Sequence, residues 1–302
     1  MSEIEINLAP ITLFVYNRPE HTKKTIEALQ KNELANESEL FIYSDAAKNK
    51  EEEAKVKKVR EYINNIDGFK KITILKKKIN WGLTNSIIDG VTEIINKYGK
   101  IIVLEDDLVT SKYFLRYMND ALKVYKDNKR VWEIGGYVYP ISYQSKKDFF
   151  FAPYTTSWGW ATWINRWKYY ERNPKKLINS FDEIKIKKFN LDNSDEIWEQ
   201  VIQNAKGKLY TWAVFWYAVV FLKDGVTVYP KISMVKNIGH DGSGMNSGKS
   251  YIFETKLSEE PLSISLEDVE INSDIITQVK KYLRKNNSFL KKFLSKFRKL
   301  FI

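Results

Sequence analysis

Cysteine is missing from all 302 residues of the chain. That excludes a disulfide framework, a thiolate nucleophile and any zinc site built on sulfur. Long apolar runs are missing too, so no segment reads as a membrane span. The opening Met-Ser-Glu-Ile-Glu-Ile-Asn has no basic stretch followed by an apolar one, and no secretory leader is read there. Neither Gly-x-Gly-x-x-Gly nor a Walker lysine motif follows the first apolar segment, which argues against dehydrogenases and P-loop enzymes. No internal repeat or low-complexity linker is evident. The expectation is a globular protein retained in the cytoplasm.

What is present is apolar and aromatic. The content is 43% hydrophobic and 14% aromatic, ample for one large α/β domain or two smaller ones. The net charge of +11 is unevenly placed: nine basic residues and no acidic one fall between Lys280 and Lys299, leaving the rest close to neutral. In that tail Phe289, Leu290, Phe293, Leu294, Phe297, Leu300 and Phe301 recur at helical spacing. A basic amphipathic helix of this kind suits an anionic membrane surface. The competing reading is a terminal helix packed on its own domain. Nucleic acid is disfavoured, because the charge is confined to the tail and not spread along a groove.

The first 135 residues alternate strand and helix. Apolar runs at 11–15, 40–43, 72–75 and 101–104 read as strands, with helices at 19–31, 51–65, 83–98 and 111–125 between and after them. Pro19 opens the first helix, and Gly68 and Gly99 stop the second and third. This predicts a Rossmann-like, mostly parallel sheet flanked by helices. From about Gly135 the texture becomes aromatic-rich, so the expected division is 1–135, a second subregion at 136–270, and the tail at 271–302.

Four apolar residues at 101–104 run straight into Glu105-Asp106-Asp107. Like charges at a strand end repel unless something positive joins them, and a hard divalent cation is the usual partner. Ligands of open α/β sheets also bind beyond the carboxyl ends of the strands. A solvated turn before a helix capped by Thr110 or Ser111 is the plainer reading. The other strand ends supply Tyr16-Asn17-Arg18, Asp45 and Asn80-Trp81-Gly82. Arg18 can pair with phosphate, Asp45 can accept from a base NH, and Gly82 permits close backbone approach. Together these residues describe a nucleotide-diphosphate pocket with a metal at its inner end.

At this point the chain resembles a family. Pro10 to Arg18, Asp45, Leu104-Glu-Asp-Asp-Leu108, Thr156-Ser-Trp-Gly-Trp-Ala-Thr-Trp163 and Asn237-Ile-Gly-His-Asp-Gly-Ser-Gly244 are similar, in order and spacing, to GT-A-fold nucleotide-sugar glycosyltransferases. The layout is nearest to N-acetylglucosaminyltransferase I and to bacterial surface-polysaccharide transferases. The resemblance implies a hexosyl- or N-acetylhexosaminyltransferase that uses Mn²⁺ or Mg²⁺, with a UDP-sugar the favoured donor. Asp107 would bind the cation, Asp106 ribose or sugar hydroxyls, and Glu105 the sugar or a water near it. Tyr16, Arg18, Asp45, Asn80, Gly82 and Asn85 complete the expected donor contacts, and His240 would join the cation shell or touch the diphosphate. The cation is needed because negative charge grows on the leaving diphosphate.

The aromatic cluster divides. Trp163, Trp167, Trp212 and Trp216 read as core, whereas Trp158 and Trp160 are candidates for contact with a sugar. The family's acidic residue in a Trp-Asp-Asp-Trp run has no counterpart in Trp212-Ala-Val-Phe-Trp216. Asp241 is the substitute base, with Asp195, Glu196 and Glu199 behind it, and the stereochemical outcome stays open. The residues 239–248 fit a mobile glycine lid equally well. Two other functions compete: a sugar-phosphate nucleotidyltransferase, which normally has a glycine-rich loop after its first strand, and a non-catalytic carbohydrate-binding protein. A basic tail on a transferase gains most if the acceptor is lipid-linked, at the inner face of the plasma membrane.

Overall fold

The computed structural model describes residues 8–242 and 251–298, with side chains through 286 in the last helix. The amino-terminal half is built from β1 (Ile11–Val15), α1 (Pro19–Gln30), β2 (Glu39–Ser44), α2 (Lys50–Ile63), β3 (Lys71–Lys76), α3 (Gly82–Tyr98) and β4 (Lys100–Glu105). Next come β5 (Leu108–Thr110), α4 (Phe114–Val124), β6 (Val131–Gly135), β7 (Phe149–Ala152), β8 (Trp160–Trp163) and α5 (Ile164–Trp167). The remainder is α6 (Pro174–Ser180), α7 (Glu183–Phe189), α8 (Ile197–Ala205), α9 (Ala213–Leu222), β9 (Val226–Pro230), β10 (Val235–Asn237) and α10 (Ser273–Arg298). Among the described residues no helix is long and apolar enough to cross a membrane.

Eight strands form one sheet in the order β3-β2-β1-β4-β8-β6-β9-β7. The first four are parallel, β8 and β7 run antiparallel to their neighbours, and β6 pairs parallel with β9. This is the mixed, mostly parallel α/β sheet the alternation implied. Helices cover both faces of β1, which explains why its five residues are all buried and all apolar or Thr. The sheet runs unbroken across residue 135, because β8 inserts between β4 and β6.

Local chemistry sets the ends. Pro19 occupies the first turn of α1, and Asn49 caps α2 by accepting from the Glu52 amide at 3.1 Å. Helix α4 begins at Phe114, three residues later than the sequence suggests, because after β5, which pairs antiparallel with β10, Ser111 is held outside the helix by bonds to the Met234 carbonyl at 2.8 Å and the Ser258 carbonyl at 2.6 Å. That two-stranded ribbon sets Asn237 opposite Leu108 and so brings 238–242 over the end of β4.

The first half of the last helix follows the competing reading, a terminal helix packed on its own domain. Ile275, Ile276, Val279 and Leu283 are buried against the aromatic half, and Lys280 pairs with Asp192 at 2.6 Å. Apolar residues at helical spacing cover protein over this part of α10. The side chains beyond 286, where the rest of the membrane-facing expectation falls, lie outside the described residues.

Candidate active site

Because β1, β2, β3 and β4 are parallel, their carboxyl ends share one edge, and the charged residues gather there. Asp106 and Asp107 are buried, and the positive partner their repulsion calls for is Arg18. Its guanidinium bonds Asp106 and lies 3.0 Å from Asp107. Burial opposes the Arg18 charge, but the two carboxylates outweigh it and hold the group above its ordinary value. Burial, then the neighbouring charges of Asp107 and Asp106, pushes the Glu105 carboxyl well above the usual carboxylate range. Asp106 is also raised, by burial working against Arg18.

Asp45, the expected contact for a base NH, caps a helix in the structure. Helix α3 has no side-chain cap of its own, and Asp45 accepts from the Gly82 amide at 2.8 Å and the Trp81 amide at 2.9 Å. Asn80 donates to the same carboxylate at 3.1 Å and to the Ala46 carbonyl at 2.7 Å. Gly82 has φ +72, so its backbone suits glycine. Asn85 donates to the Trp81 carbonyl and accepts from the Tyr210 hydroxyl, both short bonds at 2.9 and 2.8 Å. Asn80, Trp81 and Asn85 line an open groove of about 630 Å³ with Ile88, Asp89 and Thr92. Arg60 fastens the neighbouring strand ends by donating to the Asp45 and Lys77 carbonyls at 3.1 and 2.8 Å.

Tyr16 donates its hydroxyl to Glu52, which also accepts from Asn17 at 3.1 Å. Burial, reinforced by Glu52, pushes the phenol up to about 12. Neither Glu52 nor Arg60 carried a sequence signal beyond its place on a charged helix.

The loop after β10 closes over the acids. The Ile238 amide donates to the Asp107 carbonyl at 2.9 Å. A Cβ at Gly239 would fall 2.1 Å from Asp107 Oδ2 and 3.0 Å from Arg18, so only glycine fits this approach. His240 Nε2 is buried with no hydrogen-bond partner among the described residues. Burial lowers the imidazole pKa against the opposing pull of Asp107. Asp241 Oδ2 sits 3.2 Å from Nε2 of His21 on α1. Sequence reasoning passed over His21, although it lies three residues after Arg18 and so on the same side of the helix. The residues 243–250, including the later glycines of the expected lid, lie outside the described residues.

A divalent cation can be tested against this donor set. A neutral imidazole with an unpartnered nitrogen near a carboxylate is suitable chemistry, and Mg²⁺ or Mn²⁺ completes its shell with phosphate and water. Among the described residues no three His, Asp or Glu side chains form a ligand group, and Asp107 already pairs with Arg18. The residues therefore fit a cation held jointly by Asp107, His240 and a phosphate-bearing ligand, not a complete protein cage.

The two candidate tryptophans part company. Trp158 stands edge-on to Tyr137, His240 and Phe253, with centroids 4.5, 5.3 and 5.4 Å away. Trp160 is fully buried, stacked on Trp212 at 5.3 Å, and so packs the core instead of meeting a sugar. Position explains the difference: Trp160 is the first residue of β8, which is buried throughout, whereas Trp158 lies before the strand, separated from it by the bend at Gly159 with φ +66. Trp163, Trp167, Trp212 and Trp216 are core, as read from the sequence. Nearby, Glu133 on β6 is a buried carboxyl that accepts from Trp216 Nε1 at 2.7 Å and the Thr156 amide at 3.3 Å.

No family model matches the chain, and no curated protein sequence does. Among solved structures it is similar to mannosyltransferase PcManGT from Pyrobaculum calidifontis in complex with GDP-Man and Mn²⁺, at 8% identity and TM-score 0.41, over 72% of this chain and 69% of that one. It is also similar to S. aureus TarS, at 11% identity and TM-score 0.39, over 77% of this chain. For TarS 1-349 the values are 11% and 0.40, over 75% of this chain. The chain spans 37% of TarS and 59% of TarS 1-349.

Proposed function

We propose that the protein is a glycosyltransferase that moves a sugar from a nucleoside-diphosphate donor, with a UDP-sugar favoured, to a saccharide acceptor. One observation carries the reading: Arg18, the Glu105–Asp107 acids and His240, whose Nε2 has no hydrogen-bond partner among the described residues, converge under a loop at the carboxyl edge of a parallel sheet. Acids alone would repel a diphosphate, and a lone arginine would not need three carboxylates beside it.

Asp107 and His240 would hold Mn²⁺ or Mg²⁺, which supplies charge neutralisation for the departing diphosphate. Arg18 is the side chain able to pair with phosphate. Asp106 and Glu105 face the donor's hydroxyls, and Glu105, held protonated by burial and its acidic neighbours, can donate as well as accept. Asp45 orders Trp81 and Gly82 at the start of α3 and so shapes the groove in which Asn80 and Asn85 meet the nucleotide. Asp241, beside His21, is the candidate base for the acceptor hydroxyl. The basic tail supports a lipid-linked acceptor in bacterial surface glycan synthesis, with the enzyme peripheral on the inner face of the plasma membrane.

The test is a thermal-shift and calorimetric screen of UDP, GDP and CDP, and of their sugars, with and without Mn²⁺. A nucleotide diphosphate whose stabilisation depends on Mn²⁺ is expected. Absence of any Mn²⁺-dependent nucleotide binding would defeat the reading.

A further inference from the structure

The same sheet edge carries a second concavity, built without a charge cluster. Tyr137 follows the parallel strand β6, and Trp158 precedes the antiparallel strand β8, so both stand at the edge that holds Arg18 and the acids. Tyr137, Tyr139, Trp158, Asp195, Tyr217 and Asn286 line a cavity of about 300 Å³. That is space on the order of ten liquid waters, the scale of one pyranose with its hydroxyls. Rings with a few placed polar groups are the composition of a small-ligand site, and aromatic faces suit the apolar face of a sugar. Trp158 links the cavity to the acids, because its ring meets His240 edge-on at 5.3 Å.

We propose that this cavity receives the acceptor's terminal sugar and that the first half of α10 is one of its walls. The assignment rests on the transferase reading above. Leu283 and Asn286 of α10 reach the cavity, and the helix is fixed there at several points. Lys280 pairs with Asp192 at 2.6 Å, Arg284 donates to the Asp192 carbonyl at 3.4 Å, and Tyr282 packs on Tyr139 with centroids 5.7 Å apart. The loop so gripped is strained: Leu191, Asp192 and Asn193 have φ of 49, 54 and 58, and the loop leads directly to Asp195 in the cavity. Consecutive left-handed residues persist only where their surroundings enforce them. Helix α10 supplies that enforcement, so the segment that ends as a basic helix begins as part of the sugar site.

Saturation-transfer NMR on the full chain, with the methyl glycosides of glucose, galactose, mannose and N-acetylglucosamine as probes, tests this. At least one probe is expected to receive saturation. Ser157 also lines the cavity; Ser157→Trp, which fills it, should abolish the signal, and Asn286→Ala should weaken affinity about three- to tenfold. Binding of UDP with Mn²⁺ should be unchanged in both variants. If Ser157→Trp fails to fold, the Asn286→Ala affinity decides the question. The inference is overturned if no glycoside binds, or if the folded variants bind as the parent does. Glycoside binding with no nucleotide binding would defeat the transferase reading and leave the cavity a carbohydrate site.

Discussion

The two halves of the site edge are stabilised in opposite ways. On the side of β1 to β4, charges are buried in mutual pairs, with Arg18 spanning Asp106 and Asp107 and Asp45 tying down the start of α3. On the side of β6 to β9, rings pack on rings, and the buried Glu133 carboxyl has hydrogen-bond donors around it and no cation paired with it among the described residues. The charged side can exchange its internal partners for a ligand's at modest cost, since each pair broken is replaced by another. The aromatic side can only offer a preformed shape. One half is therefore suited to a charged donor and the other to a neutral ring.

The strongest way to break this contrast is to remove the acid nearest the loop. Asp107→Ala should lower Mn²⁺-stimulated hydrolysis of the sugar nucleotide by about 10²–10³-fold, the scale of losing one transition-state stabilising group. Circular dichroism should show the fold retained. Unchanged turnover in the folded variant would show that the charged side is structural only.

A smaller effect should appear on the aromatic side, as pH dependence. Burial pushes Glu133 up to about 8, whereas an unfolded chain titrates glutamate near about 4.3. Between those values the unfolded chain has released its proton and the folded chain still holds it. Raising pH through that window therefore favours unfolding, and the contribution of Glu133 is full below the lower value and lost through the upper. Glu133→Gln should flatten the fall in Tm between pH 5 and 8 relative to the parent, measured by calorimetry. Parallel curves for the two proteins would remove Glu133 from the comparison.

The smallest effect concerns the tail. A chain ending after Asn286 keeps the docked part of α10 and should melt within a few degrees of the parent. It should lose sedimentation with anionic phosphatidylserine vesicles, because Lys291, Lys292, Lys296, Arg298 and Lys299 are gone, each worth about 1 kcal/mol at such a surface. Removing residues 280–302 instead extracts Leu283 from the core and Lys280 from Asp192, so that cut should be distinctly less stable. Equal vesicle binding by the shorter chain would dismiss the membrane role.

What the sequence disclosed follows the range of the forces involved. The four βα units were readable because buried parallel strands need unbroken apolar runs and helix ends need Pro19 or Gly99. The acidic triplet was readable because its residues are adjacent. The partnership of Arg18 with those acids was not, since the two lie 88 and 89 positions apart and either a metal or an arginine satisfies the same repulsion. Trp160 was misplaced because the sequence does not say that β8 begins at that residue, nor that both faces of β8 are covered. The docking of α10 stayed one of two readings, because an apolar stripe at helical spacing is identical whether protein or lipid covers it.

The pairing of β5 with β10 also orders events in time. A nascent chain presents its amino-terminal part first, so Arg18 and the acids emerge long before the strand that carries Gly239 and His240. In the folded chain Arg18 is, among the described residues, the cation paired with Asp106 and Asp107. The site is therefore complete only once the last strand of the ribbon has brought Gly239 and His240 to the acids.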